Sequence, residues 1–243
     1  MLTTTTTKIT RLDGGRNGRH YQVEGFSEPF PSVTTVLGIT NKPALVPWAR
    51  NMALESVKET LYDHLEESVE SQWVEDIIEQ ARRRPDQIRD QAADFGTRAH
   101  ILIEQIIQGL EPEIPAEMEP VVQSFTSWRQ DAGLDIQLTE TMVYSGKYRY
   151  AGAMDAVAYQ GGTLVALDWK TGNGLYPEHL LQVAAYAKAL EEMSGEPVTE
   201  AWAVRFGKKT PEFEARKVRN LDTAFNAFRA ALYLWRAMKT GLE

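Results

Sequence analysis

Between residues 141 and 170 three short β-favouring runs follow one another, Thr141-Met142-Val143-Tyr144, Tyr150 to Tyr159 and Thr163 to Trp169. They are separated by turns, one containing Lys147 and the other Gln160-Gly161-Gly162. This spacing predicts two successive antiparallel hairpins. Helical texture follows. Pro177 suits a first helical position, and Leu180, Leu181, Ala184, Ala187 and Leu190 give the next segment an apolar stripe. Thr199 to Phe206 and Phe213 to Val218 read as further strands, and Leu221 to Met238 as a closing amphipathic helix. The expected fold class is α/β, a sandwich of helices around a mixed central sheet.

Upstream, residues 1 to 40 contain alternating segments such as Tyr21-Gln22-Val23-Glu24-Gly25-Phe26, which predict short strands or a hairpin. Pro47 followed by Trp48 to Leu54 predicts a helix start, and apolar residues recur at helical spacing to about Ile78, enough for two or three helices. Arg82-Arg83-Arg84-Pro85 is expected to break that run, with Pro85 opening a helix that passes Phe95 and His100, reaches Ile107 and stops at Gly109. Another helix is expected from Pro115 to Asp131. The chain reads as one domain over residues 1–243, with N-terminal strands and a helical elaboration in 1–84 and the core in 85–243.

Composition narrows the chemistry. With no cysteine there is no disulfide, no thiolate-held zinc and no cysteine-ligated iron-sulfur cluster, so any metal must sit on oxygen or imidazole. The formal charge of −8 argues against a strong duplex binder, though not against an enzyme with carboxylate-held cations and a local basic strip. No stretch is apolar enough to span a bilayer, and Met1 to Lys8 has neither a secretory nor a transit pattern, so no membrane partner and a cytoplasmic location are expected.

Alternation along the run ending in Lys170 projects Asp168 and Lys170 to one side and Leu167 and Trp169 to the other. The preceding run carries Asp155, which the Gly161-Gly162 turn can bring beside Asp168. Neighbouring carboxylates repel, and a hard divalent cation such as Mg²⁺ is the usual relief. A lone D-x-K is commonly a surface ion pair. Here it ends the apolar run Leu164-Val165-Ala166-Leu167, where charges often mark a site. A lone His100 among Ile101, Leu102 and Ile103 is often a core residue, and Glu104, one turn on, could hold its other ring N–H or simply be an i, i+4 neighbour. Gln182 and Tyr186 share a helix face and could touch substrate or brace Lys170. For Glu140 a solvated strand end is the better expectation than an outer-shell acid. Lys147, Arg149, Tyr150, Lys208, Lys209, Arg216, Lys217 and Arg219 suit contacts to a nucleic-acid backbone and equally suit an ordinary surface. No phosphate-binding loop of the nucleotide-hydrolysing motors is present.

Gly152-Ala-Met-Asp155, Asp168-Trp-Lys170 and Gln182-Val-Ala-Ala-Tyr186, taken in order, resemble the RecB-type branch of the PD-(D/E)xK nuclease superfamily. Gly96-Thr97-Arg98-Ala99-His100 is similar to that branch's helical histidine motif. Pro31-Ser32-Val33-Thr34-Thr35-Val36-Leu37, with Pro43-Ala44-Leu45 and Trp48-Ala49, is similar to its bacterial, phage and mitochondrial-genome-maintenance exonucleases. Met154 stands where the superfamily's name has proline, and the cluster-binding cysteines of the CRISPR-adaptation relatives are missing.

The resemblance implies a restriction-endonuclease-like sandwich and a metal-dependent DNA exonuclease that prefers single-stranded ends. Its alternatives are a structure-specific endonuclease, a nuclease subunit of a helicase or CRISPR-adaptation complex, and a catalytically silent nucleic-acid-binding relative. It implies Mg²⁺ or Mn²⁺ on His100, Asp155, Asp168 and the Trp169 carbonyl, with Lys170, Asp155 and Asp168 catalytic and no iron-sulfur cluster. It further implies substrate contacts at Gln182, Tyr186, Lys147 and Arg149, outer-shell roles for Glu104 and Thr97, and a DNA-processing partner in a bacterial or phage setting. The helices between Pro43 and Gly109 are expected to roof a passage for a threaded single strand.

Overall fold

The computed structural model describes residues 7–14, 18–40, 42–64 and 71–240, so most of the Met1 to Lys8 run lies outside the described residues. The chain divides into two compact units, one made of residues 1–40 and 98–243 and the other of residues 41–97.

The N-terminal residues of the larger unit form a small antiparallel sheet of β1 (Ile9–Asp13), β2 (Arg19–Val23) and β3 (Phe30–Pro31). Ser32 then caps the short helix α1 (Val33–Leu37), its hydroxyl accepting the Thr35 N–H at 2.9 Å. The smaller unit holds α2 (Leu45–Asp63) and most of α3 (Ser71–Ile107), whose last turns belong to the larger unit.

Helix α3 runs through Pro85 without a break, contrary to the expected stop. Proline removes a backbone donor and costs about 3 kcal/mol inside a helix. Strong helix formers surround it, and Arg83–Glu79 and Arg89–Asp86 pairs at 2.7 and 3.1 Å link neighbouring turns. The helix ends as expected before Gly109 in the left-handed region, where Leu110 N–H reaches the Gln105 carbonyl at 2.9 Å.

A 3₁₀ turn (Ala116–Met118) leads into α4 (Glu119–Ala132). Strands β4 (Asp135–Ser145), β5 (Tyr150–Gln160) and β6 (Thr163–Lys170) form the two expected hairpins. Helix α5 (Pro177–Ser194) crosses to β7 (Val198–Phe206), which runs parallel to β6. Strand β8 (Phe213–Lys217) and helix α6 (Leu221–Thr240) complete the chain. The mixed five-stranded sheet has the order β4-β5-β6-β7-β8.

Helices α5 and α6 cover one face, where Val183, Leu190, Phe225, Phe228 and Leu232 pack with Met154, Val157 and Ala166. On the other face Phe125 and Trp128 of α4 meet Trp169 and Phe206, with ring centroids 5.0 to 6.2 Å apart. Burial from both sides explains why Leu164 to Leu167 is a continuous apolar run rather than an alternating one.

Candidate active site

Hairpin register places the carboxylates. Ser145 pairs with Tyr150 across the first turn, and counting five residues outward on each strand reaches Glu140 and Asp155. Gln160 pairs with Thr163 across the second, and the same count reaches Asp155 and Asp168. Glu140, Asp155 and Asp168 therefore form one row across three strands. Asp168 and Lys170 share a face of β6 and are joined by an ion pair. His100 arrives from the end of α3, its Nδ1 lying 3.1 Å from Asp155 Oδ1.

The row coincides with an irregularity in the sheet. Glu140 has φ +47°, a left-handed conformation unusual for a strand. On one side of the row Val143 belongs to the core beneath α5 and α6, and on the other Leu138 packs against that same core. Five is an odd separation, so alternation slips by one residue at Glu140. Opposite it, ladder pairing of β5 with β6 extends only to Ala156 and Leu167. One residue further, the Asp155 carboxylate replaces a ladder acceptor and takes the Trp169 backbone N–H at 2.5 Å.

Helix α5 supports the row. Gln182 Nε2 donates to Asp168 Oδ1 at 3.0 Å and to the Tyr186 hydroxyl at 3.0 Å. Gln182 and Tyr186 are both buried.

Electrostatics distinguish the two aspartates. Burial and the neighbouring Asp155 charge raise the Asp168 pKa to about 6 despite Lys170. Asp155 is also penalised by burial, but His100, Lys170 and the Trp169 N–H together outweigh this and hold its pKa below the usual value. Burial opposes the charged forms of His100 and Lys170, yet the aspartates win in both cases. The His100 pKa is raised by Asp155, and that of Lys170 by Asp168 and Asp155. Glu140 is exposed as a residue, but partial burial of its carboxyl and the Asp155 charge raise its pKa.

Donor atoms of His100, Glu140 and Asp155 all lie within 4.8 Å of one another. Asp168 stands beside this group, turned to Gln182 and Lys170. The structure thus brings Glu140, expected as a solvated strand end, into this donor group, and counting outward from the turn is the sequence signal for that position. Glu104 accepts from Thr139 at 3.3 Å and from Gln108 at 3.1 Å, with no bond to His100 among the described residues. Thr97 spends its hydroxyl on the Ala93 carbonyl at 3.1 Å. Lys147 and Arg149 sit at the turn between β4 and β5, away from the row.

The family model described as the PD-(D/E)XK nuclease superfamily matches residues 55–243. The chain belongs to this superfamily. Residues Asp155, Asp168 and Lys170 of this nuclease all fall within the match. No curated protein matches the chain significantly.

Among solved structures, an alkaline exonuclease from Laribacter hongkongensis is similar at 17% identity over 59% of this chain and 82% of that one, with a TM-score of 0.32. The same exonuclease in complex with dAMP gives 11% identity over 77% of this chain and 90% of that one, with a TM-score of 0.36. A candidate exonuclease from Eubacterium rectale gives 14% over 75% of this chain and 73% of that one, with a TM-score of 0.35. Nucleases of this superfamily use divalent metal ions, and the oxygen and imidazole donors of the nuclease's site fit such an ion, while its lack of cysteine leaves no cysteine-ligated cluster. Among the described residues no helix is long and apolar enough to cross a membrane.

Proposed function

We propose that this nuclease is a RecB-type DNA exonuclease that uses Mg²⁺ or Mn²⁺ and attacks single-stranded ends. The observation that carries the reading is the Glu140, Asp155 and Asp168 row, flanked by His100 on one side and Lys170 on the other. A purely structural salt-bridge cluster has no need to bury Asp168 beside a second carboxylate at the cost of a raised pKa.

In the proposed roles, Asp155, Asp168, His100 and the Trp169 carbonyl hold the cation, with Glu140 as a further ligand directly or through water. A divalent ion held there supplies Lewis acidity toward the scissile phosphate. Asp168 and Asp155 hold the Lys170 pKa above its usual value in the metal-free site; in the proposed role its charge orients the attacking water and offsets charge growing on the phosphate oxygens. Attack of water at phosphorus forms one P–O bond as the opposite P–O bond breaks; the water gives up a proton to solvent and the leaving oxygen takes one up. Gln182 keeps Asp168 aimed, and Tyr186 keeps Gln182 in place.

Digestion of end-labelled linear single strands, linear duplexes and covalently closed single-stranded circles with Mg²⁺, Mn²⁺ or EDTA tests the proposal. Metal-dependent loss of linear single strands, with circles and duplexes spared, is the expected result. Circles degraded as fast as linear strands of the same sequence would replace the exonuclease with an endonuclease.

A further inference from the structure

The turn between β4 and β5 is built more firmly than a surface loop requires. Glu192 of α5 accepts the Ser145 hydroxyl through Oε2 at 2.5 Å and the Lys147 N–H through Oε1 at 3.0 Å. Ser145 is fully buried, and its Oγ also accepts the Tyr148 N–H at 3.0 Å. From α6, Arg236 donates to the Tyr148 and Arg149 carbonyls at 2.6 and 3.0 Å. The Tyr148 ring rests edge-on against Phe225. Every residue from Lys147 to Arg149 is thus tied through its backbone to a helix.

The turn displays positive charge. Arg149 closes it with φ +53°, where glycine would be the unstrained choice, and its side chain is exposed. Lys147 Nζ and the Arg229 guanidinium lie 5.2 and 4.7 Å from the Tyr148 ring centroid. They border a cavity of about 640 Å³ that Lys188, Glu191, Glu192 and Asp222 also line. Lys188 is already balanced by Glu191 and Asp222 at 2.9 and 3.0 Å. Glu28 lies 3.9 Å from Arg149, a distant and exposed pairing. Among the described residues no carboxylate forms an ion pair with Lys147 or Arg229. On a chain of formal charge −8, Lys147, Arg149 and Arg229 gather three cationic side chains around one turn whose backbone is tied down, with the Glu192 carboxylate turned to the Ser145 hydroxyl and the Lys147 N–H.

We propose that this turn is a prebuilt contact for the phosphodiester backbone of the substrate strand, remote from the cleavage site. Lys147, Arg149 and Arg229 supply the charge, and Glu192 and Arg236 are positioning residues. The inference rests on the nuclease reading above. Asp155 lies five residue steps along the strand from Tyr150, about 17 Å at the usual rise, so the turn engages strands that extend well beyond the scissile bond.

The test is fluorescence anisotropy of single-stranded oligothymidylate with the full chain in EDTA, across a salt series. Each lost phosphate contact flattens the log–log salt slope by about 0.7. A Lys147→Ala/Arg149→Ala/Arg229→Ala variant should flatten it by about 2 and weaken low-salt binding roughly tenfold or more. Glu192→Ala should flatten the slope as well, and Glu192→Gln, which retains an acceptor for the Lys147 N–H, should restore it. An unchanged slope in the triple variant with an intact melting transition overturns the proposal. So does equal displacement of the oligonucleotide by polyglutamate, which would indicate an acidic peptide partner. Metal-dependent cleavage by the wild type, assayed in parallel, separates the failures. Cleavage with an unchanged slope sinks only the turn contact, whereas no cleavage of any strand removes the nuclease reading beneath it.

Discussion

The ring of Tyr186 lies against the bare α-carbon of Gly152, so closely that a β-carbon there would overlap the ring's Cε1. The glycine of Gly152-x-x-Asp155 and the tyrosine of Gln182-x-x-x-Tyr186 are therefore two halves of one contact. Through the Tyr186 hydroxyl and Gln182 that contact reaches Asp168.

Gly152→Ala should displace Tyr186 and, through Gln182, disturb Asp168. Overpacking of this kind costs about 1 to 3 kcal/mol. Thermal denaturation should show a lower Tm, and cleavage should fall even at temperatures where the variant remains folded. An unchanged Tm and rate would mean that Tyr186 has room to move.

Gln182→Leu keeps the volume and removes the donor to Asp168. Losing a hydrogen bond to the charged form pushes the Asp168 pKa further above about 6. The acidic limb of the pH–rate profile at fixed Mn²⁺ should move to higher pH, and more metal should be needed for half-maximal rate. A profile superimposable on the wild type would remove Gln182 from the site.

Linkage fixes a sign for Asp168. Its folded pKa of about 6 lies above the unfolded value near 3.9, so the folded state binds the proton more tightly. The stability this contributes is present below about pH 4 and lost as pH rises through about 6. Asp168→Asn has no such proton to lose. In EDTA its Tm relative to wild type should therefore increase between about pH 4 and pH 7, then level off. A Tm difference independent of pH would contradict the raised pKa.

Parts of this geometry are legible in the sequence. Alternation on β6 put Asp168 and Lys170 on one face, and their ion pair follows from that. The short turns determined which strands pair, and hence that Asp155 stands beside Asp168. The same count places Glu140 opposite Asp155, but nothing local in Thr139-Glu140-Thr141 predicts its left-handed backbone within a strand. Such strain is imposed by tertiary context. Pro85 misled for the opposite reason: its local preference is strong, but a helix of 37 residues accommodates one missing donor.

Glu140→Gln should raise the Mn²⁺ concentration needed for half-maximal cleavage severalfold, with little loss of rate at saturation. His100→Ala should act in the same direction and more strongly, since it also removes the partner of Asp155. Metal titrations of cleavage measure both. A Glu140→Gln titration identical to wild type would return Glu140 to the status of a solvated strand end.

The most direct measurement compares wild type with Lys170→Ala for cleavage of end-labelled single-stranded DNA in Mg²⁺, Mn²⁺ and EDTA, with circular dichroism to confirm folding. Removing one electrostatic stabiliser of a phosphoryl transition state typically costs about 100- to 1,000-fold in rate. The predicted result is metal-dependent cleavage by the wild type, none in EDTA, and a loss of that order in the folded variant. Near-wild-type cleavage by Lys170→Ala, or wild-type cleavage that persists in EDTA, would contradict the assignment of this site.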